Sequence, residues 1–273
     1  MKLGIVVASE NALPTAFAVL RGIAGGIECA ARLGYDGIEL AVRDGREFSY
    51  EQITKMAAPA GVEISAISTG QLFADKHLWL SARDNGVREA AADAFIDIID
   101  MASGFGCFVN IGRARGFVED GDDEASTAAR FADSLALVAA HAEKRGITLV
   151  IEPVNRYETN YINSVGEGAA LIDSLERSGI HGLKLMPDFF HMNIEDASME
   201  DSLLRNKNRI GYIHVADSNR LAPGRGHINF GSLFDALAKI GYDGWLTLES
   251  LPKPSPEEAA KQAIDYLRRR YPA

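Results

Sequence analysis

The stretch Thr148-Leu149-Val150-Ile151-Glu152 decides the fold: a short apolar run that ends in a carboxylate. The same phrase recurs three times downstream. Leu183-Lys184-Leu185-Met186 leads to Asp188, Ile210-Gly211-Tyr212-Ile213 to His214, and Trp245-Leu246-Thr247-Leu248 to Glu249. The stretches between these runs read as helices. In a closed parallel barrel, successive strands deliver their C-terminal ends to one rim, and that rim holds the active site. Three carboxylates and one imidazole would then surround one void.

The pattern repeats although the sequence does not. Strands are expected near Leu3–Val7, Gly37–Leu40, Val62–Ile67, Phe108–Ile111, Thr148–Ile151, Leu183–Met186, Ile210–Val215 and Trp245–Leu248. Few of them alternate apolar with polar residues, as expected of strands buried on both faces. Asp84 to Phe105 carries Val87, Ala91, Ala94, Phe95, Ile98 and Met101 close to helical spacing. Ser255-Pro256-Glu257-Glu258 offers an N-cap serine, a first-turn proline and a capping-box glutamate. Eight strand–helix pairs in 273 residues predict one (β/α)8 TIM barrel, a single α/β domain over residues 1–273. A doubly wound open sheet would carry a glycine-rich phosphate loop after its first strand, and Ala8-Ser9-Glu10-Asn11 is not one. The irregular region Thr69 to Ser81 is the expected lid.

Composition narrows the partners. The formal charge of -10 argues against sequence-independent nucleic-acid binding, which needs a basic face. Two cysteines, Cys29 and Cys107, make no disulfide framework, so a reduced, cytoplasmic setting is expected. The chain opens directly into a strand without a secretory pattern. No apolar run reaches the length of a membrane span.

The four strand-end residues define the chemistry. Oxygen donors favour hard divalent ions such as Mg and Mn, and one imidazole moves the preference toward Mn, Co or Fe. Without thiolates a structural zinc site is not expected. A ketone bound beside such an ion through its carbonyl and neighbouring hydroxyl oxygens has an acidified carbon between them. One glutamate removes that proton and a second returns one. Delivery to the opposite face gives epimerisation; transfer between adjacent carbons on one face gives aldose–ketose isomerisation. Sequence leaves both open.

The chain resembles the sugar isomerase/epimerase barrels that include the D-tagatose 3-epimerases. The residues that carry this are Ile151-Glu152-Pro153-Val154-Asn155-Arg156-Tyr157-Glu158 and Asp188-Phe189-Phe190-His191-Met192-Asn193-Ile194-Glu195. With them go His214-Val215-Ala216-Asp217-Ser218-Asn219-Arg220, Pro223-Gly224-Arg225-Gly226 and Leu248-Glu249. The resemblance implies that Glu152, Asp188, His214 and Glu249 bind the metal and that Glu152 and Glu249 also exchange the proton. It further implies substrate contacts from Glu158, His191 and Arg220, and a homo-oligomer.

A narrower resemblance, to 5-keto-L-gluconate epimerases, rests on Glu39-Leu40-Ala41-Val42-Arg43-Asp44, Ile67-Ser68-Thr69-Gly70-Gln71 and Ile111-Gly112-Arg113-Ala114-Arg115-Gly116. It implies a keto-sugar acid as substrate. Arg43, Arg113 and Arg115 follow the second and fourth expected strands and so fall on the active rim. An anionic sugar would use such cations, since arginine grips carboxylates bidentately; pairing with Asp44, Glu47 or Glu119 is the other reading. His77 reads as a loop histidine, with a place in the lid as the other reading, and His141 and His181 are expected in structural positions. His227 is a residue that could approach the site, and Phe73 and Trp79 could wall off one end of it, with core packing as the equal reading. The expected reaction is therefore epimerisation next to the ketone of a ketose or keto-sugar acid. Isomerisation of the hydroxypyruvate-isomerase type is the alternative, and dehydration of a cyclic keto-polyol begins with the same proton removal. Endonuclease IV shares this barrel type, but its multi-zinc chemistry needs more strand-end histidines than this chain offers.

Overall fold

Each apolar run forms a parallel strand, and successive strands lie side by side. The structure, a computed structural model, describes residues 1–13 and 17–270. The barrel strands are β1 (Lys2–Ala8), β2 (Gly37–Ala41), β3 (Glu63–Ser68), β4 (Phe108–Ile111), β5 (Leu149–Ile151), β6 (Leu183–Leu185), β7 (Ile213–Val215) and β8 (Trp245–Leu248). They follow the ring order β6-β5-β4-β3-β2-β1-β8-β7, all parallel, with a two-residue strand Leu20–Arg21 beside β1. All eight expected strands are present.

The ring closes between β6 and β7 without a regular ladder. Two isolated bridges span that seam, Leu185 with Ile210 and Asp188 with His214. Gly211 and Tyr212 both turn their amides toward the Leu185 carbonyl, at 2.9 and 3.4 Å. That is why the strand expected from Ile210 begins only at Ile213.

The intervening helices close the outer layer. Among them are α1 (Ile23–Leu33), α2 (Tyr50–Ala60), α3 (Gly70–Ala74), α4 (Asn85–Phe105), α5 (Glu124–Arg145), α6 (Val165–Arg177), α7 (Phe189–Glu195), α8 (Met199–Arg205), α9 (Phe230–Lys239) and α10 (Pro256–Arg270). Asp84 caps α4 by accepting from the Val87 amide, and Ser255 caps α10 by accepting from the Glu258 amide at 3.3 Å. Outward strand residues such as Ile38, Leu40, Ile64 and Ile67 pack on these helices. Inside the barrel, Ala66, Val150, Met186, Tyr212 and Trp245 plug the N-terminal half. The Tyr212 hydroxyl lies 2.7 Å from Ser65 Oγ and 2.6 Å from Thr247 Oγ1, so its burial leaves no unmet polar group. Above this plug the interior turns polar.

The segment expected as a lid does lie over the rim. Helix α3 contributes Gly70, Gln71 and Ala74 to a cavity wall. The segment is fastened by the Leu80 amide on the Ala114 carbonyl at 2.9 Å. A cluster of Phe73, Trp79 and Phe117 holds it from the side.

Candidate active site

The barrel brings the four strand-end residues together. Glu152, Asp188, His214 and Glu249 each offer one ligand atom, and these atoms all lie within 4.8 Å of one another. His214 Nδ1 is 3.2 Å from Glu152 Oε1 and 4.0 Å from Glu249 Oε1. The free oxygens of the two glutamates are fixed separately. Asn110 Nδ2 donates to Glu152 Oε2 at 3.1 Å, and Arg220 donates to Glu249 Oε2 at 2.7 Å.

Asp188 caps α7: its Oδ1 accepts from the Phe190 amide at 2.8 Å. Its Oδ2 is buried and has no hydrogen-bond partner. Burial pushes Asp188 up to about 6 and Glu249 up to about 8. Burial acts the same way on Glu152, but the His214 hydrogen bond and charge, with the Asn110 bond, outweigh it and hold that carboxyl at about 2. A divalent cation would satisfy the orphaned Asp188 oxygen and compensate the buried negative charge. The residues therefore fit a hard divalent ion.

The residues expected to touch substrate surround this centre. Glu158, His191, Arg220 and Arg113 all line the same cavity as Glu152 and Glu249, together with Asn110, Phe17 and Gln71. His191 Nδ1 accepts from the Asn155 amide at 3.3 Å, and Asn155 Nδ2 lies 2.7 Å away. A backbone N–H can only donate, so a neutral His191 carries its proton on Nε2, the nitrogen 3.6 Å from Asp188 Oδ2. Burial and the Arg220 charge push His191 down to about 3, which keeps it neutral. Arg220 also donates to Glu158 Oε1 at 2.7 Å. Its guanidinium sits between rings, 3.6 Å from the centroid of Phe17 and 4.8 Å from that of Phe190. It holds a backbone φ of 58°, in the left-handed region that costs a non-glycine residue energy.

Two of the three arginines expected to meet an anion do other work. Arg115 is fully buried and donates to the carbonyls of Gly112, Glu152, Tyr161 and Ile162. It clamps loops. Arg43 is paired with Asp75 at 2.6 Å and does not line the cavity. Its partner comes from the lid rather than from the three acids weighed on sequence. Arg113 remains: it faces the cavity, stacks 4.6 Å from the Phe73 centroid, and has a buried Nε with no partner. Of the two aromatics expected to wall off the site, Phe73 meets Arg113, and neither Phe73 nor Trp79 lines the cavity itself. His227 is exposed, with its amide on Ser218 Oγ, and does not line the cavity. His141 pairs with Asp100 on the surface at 2.7 Å.

Sequence reasoning gave no role to Asn110, Phe17 or Glu39. Glu39 had a visible signal, an acid inside the apolar run of β2. Phe17 had none, because its position over Arg220 depends on how the loop after β1 folds back.

Comparison with known proteins agrees with this architecture. Residues 27–270 match the Xylose isomerase-like TIM barrel family, and the chain belongs to it. A ketose 3-epimerase of Arthrobacter globiformis is 30% identical over 236 residues, covering 84% of this chain and 78% of that one. An L-ribulose 3-epimerase of Mesorhizobium japonicum is 33% identical over 224 residues, covering 80% and 71%. A crystal structure of D-psicose 3-epimerase in the presence of D-fructose superposes with a TM-score of 0.83 at 26% identity, each chain covered in full (100%). By these relationships the chain is an enzyme, an isomerase of the carbohydrate-epimerase class. Among the described residues, no helix is long and apolar enough to cross a membrane.

Proposed function

We propose that this enzyme inverts the carbon beside the ketone of a ketose or keto-sugar acid, through an enediolate, with Glu152 and Glu249 as acid and base. The single observation that carries the reading is the arrangement of those two carboxylates. They come from β5 and β8, three places apart around an eight-strand ring, and both line one cavity. Each has one oxygen in the four-residue cluster and the other held by a fixed donor.

A divalent ion, Mn, Co or Mg, held by Glu152, Asp188, His214 and Glu249 would supply Lewis acidity to the carbonyl and adjacent hydroxyl oxygens. The protein's own groups do the rest. The His191 Nε2–H is placed to donate to a substrate oxygen near Asp188. Arg220 holds Glu249 and Glu158 in register across the cavity mouth. Phe17, Phe190 and the lid keep water from the proton being moved. One glutamate takes the proton, and the other, on the far wall, returns one to the opposite face. The names of the relatives support a 3-epimerase acting on a ketose.

The keto-sugar acid remains part of the proposal because of Arg113. Its nearest carboxylate contact, to Glu158 Oε2, is 4.0 Å, and its Nε is unpartnered. A substrate carboxylate would complete that geometry. The test is α-proton exchange in D2O with Mn2+, followed by proton NMR, on neutral ketoses and keto-sugar acids. Exchange with an inverted centre and an unmoved carbonyl is expected; a carbonyl shifted to the next carbon would replace this reading with isomerisation.

A further inference from the structure

Below the four clustered side chains, inside the barrel, lies a further acid. Glu39 is on β2, fully buried at 0% exposure, and its Oε2 is 2.8 Å from His214 Nε2. The other oxygen has no hydrogen-bond partner. Burying a carboxylate inside a barrel is costly unless it is paired. An apolar side chain would fill this position without that cost, so the acid needs another reason to be there.

The backbone beside it is also adjusted. Along β2 and β3, Ile38 pairs with Ile64 but Glu39 pairs with Ala66, a bulge that skips Ser65. Bulges re-aim side chains beside active sites. Ser65 is satisfied within the bulge, its Oγ donating to the Ile38 carbonyl at 3.0 Å. Glu39 thereby reaches across the barrel to His214, which stands on β7.

We propose that Glu39 is a positioning residue: it holds the His214 proton on Nε2 and fixes the ring, leaving Nδ1 as the metal-binding nitrogen. An imidazole that binds a metal is neutral and has one proton, so a carboxylate accepting at Nε2 holds that proton there and leaves the Nδ1 lone pair for the ion. Nδ1 is the nitrogen that faces Glu152 and Glu249. The inference rests on the proposed metal site and deepens it, because it says which nitrogen binds and why.

The experiment is Mn2+ titration of the full chain, read by the electron paramagnetic resonance signal of free ion, for wild type, Glu39→Gln and Glu39→Ala. Thermal unfolding of each metal-free protein is recorded in parallel. Glu39→Ala is expected to weaken Mn2+ binding by about 10–100-fold, the usual effect of losing a ligand's outer partner. Glu39→Gln is expected to fall between, since its amide oxygen still accepts the proton but carries no charge. In 113Cd-loaded, 15N-histidine-labelled wild type, the cadmium coupling should appear on His214 Nδ1. Equal affinities in all three proteins, or coupling on Nε2, would overturn the assignment. If Glu39→Ala does not fold, the near-isosteric Glu39→Gln decides the point by the same titration. Wild type that takes up no Mn2+ would instead sink the metal site itself, and this role with it.

Discussion

Replacing Arg115 with methionine should cost this enzyme stability and leave its affinity for anionic sugars alone. The guanidinium makes five hydrogen bonds to four carbonyls and no carboxylate pair. Two of those carbonyls keep a backbone donor in the variant: Gly112 from the Arg115 amide at 3.0 Å and Ile162 from the Val154 amide at 3.2 Å. The carbonyls of Glu152 and Tyr161 lose theirs. Each buried acceptor left unmet costs about 1–3 kcal/mol, so the pair costs about 2–6. Removing a buried charge returns part of this, which leaves a net loss of about 2–4 kcal/mol. For a chain of this size that lowers Tm by roughly 5–15 °C. Calorimetry of the metal-free protein measures it, and KM for neutral and anionic substrates is taken on the folded variant. A Tm within about 2 °C of wild type, outside the range this loss implies, would refute the clamp. So would a KM that rises only for acids.

Further outcomes are expected at the site itself. Glu152→Gln and Glu249→Gln should each lower kcat by about 10²–10⁴-fold or more with circular dichroism unchanged, because each removes an acid–base group; near-normal rates would end the two-base mechanism. Arg113→Ala should raise KM for a keto-sugar acid and leave it unchanged for a neutral ketose; equal effects on both would remove the carboxylate contact. Metal-free stability should depend on pH through Glu249. Burial raises its folded value to about 8 from 4.5, so the folded state holds the extra proton between those values and stability falls as pH rises toward 8. His214, whose acidic neighbours outweigh burial and raise its folded value well above 6.5, adds to that fall, and His191 acts in the opposite direction only below its ordinary 6.5, since its folded value is lowered. Melts in EDTA from pH 6.5 to 8 should therefore show a decline, and saturating Mn2+ should reverse its sign; a flat profile in EDTA would show that Glu249 is not held protonated.

The strands and the four clustered side chains were readable because they share one local signal, an apolar run ending in a charged or coordinating residue. Parallel topology then carries each such residue to the same rim without further information. Arg115 and Arg113 show where that reading stops. They sit two residues apart after the same strand, and both look like rim cations. Which one turns inward depends on the carbonyls of Tyr161 and Ile162, supplied by a loop some fifty residues away. Arg43 failed for a similar reason, since Asp75 comes from the lid. Glu39 was visible as an acid in an apolar strand, but its partner stands on another wall, and no local pattern encodes a distance across a barrel.

The seam between β6 and β7 has a consequence for how mutations here will be read. Every other neighbouring pair of strands is sewn by a ladder, while this one relies on two single stitches. One stitch joins Asp188 to His214, two of the four side chains that converge on the candidate ion. A cation gripped by both would act as a clasp on the joint where the cylinder is least well fastened. Chelation or loss of either side chain should then loosen the circle as well as silence the chemistry, and the opening would start at β6 and β7.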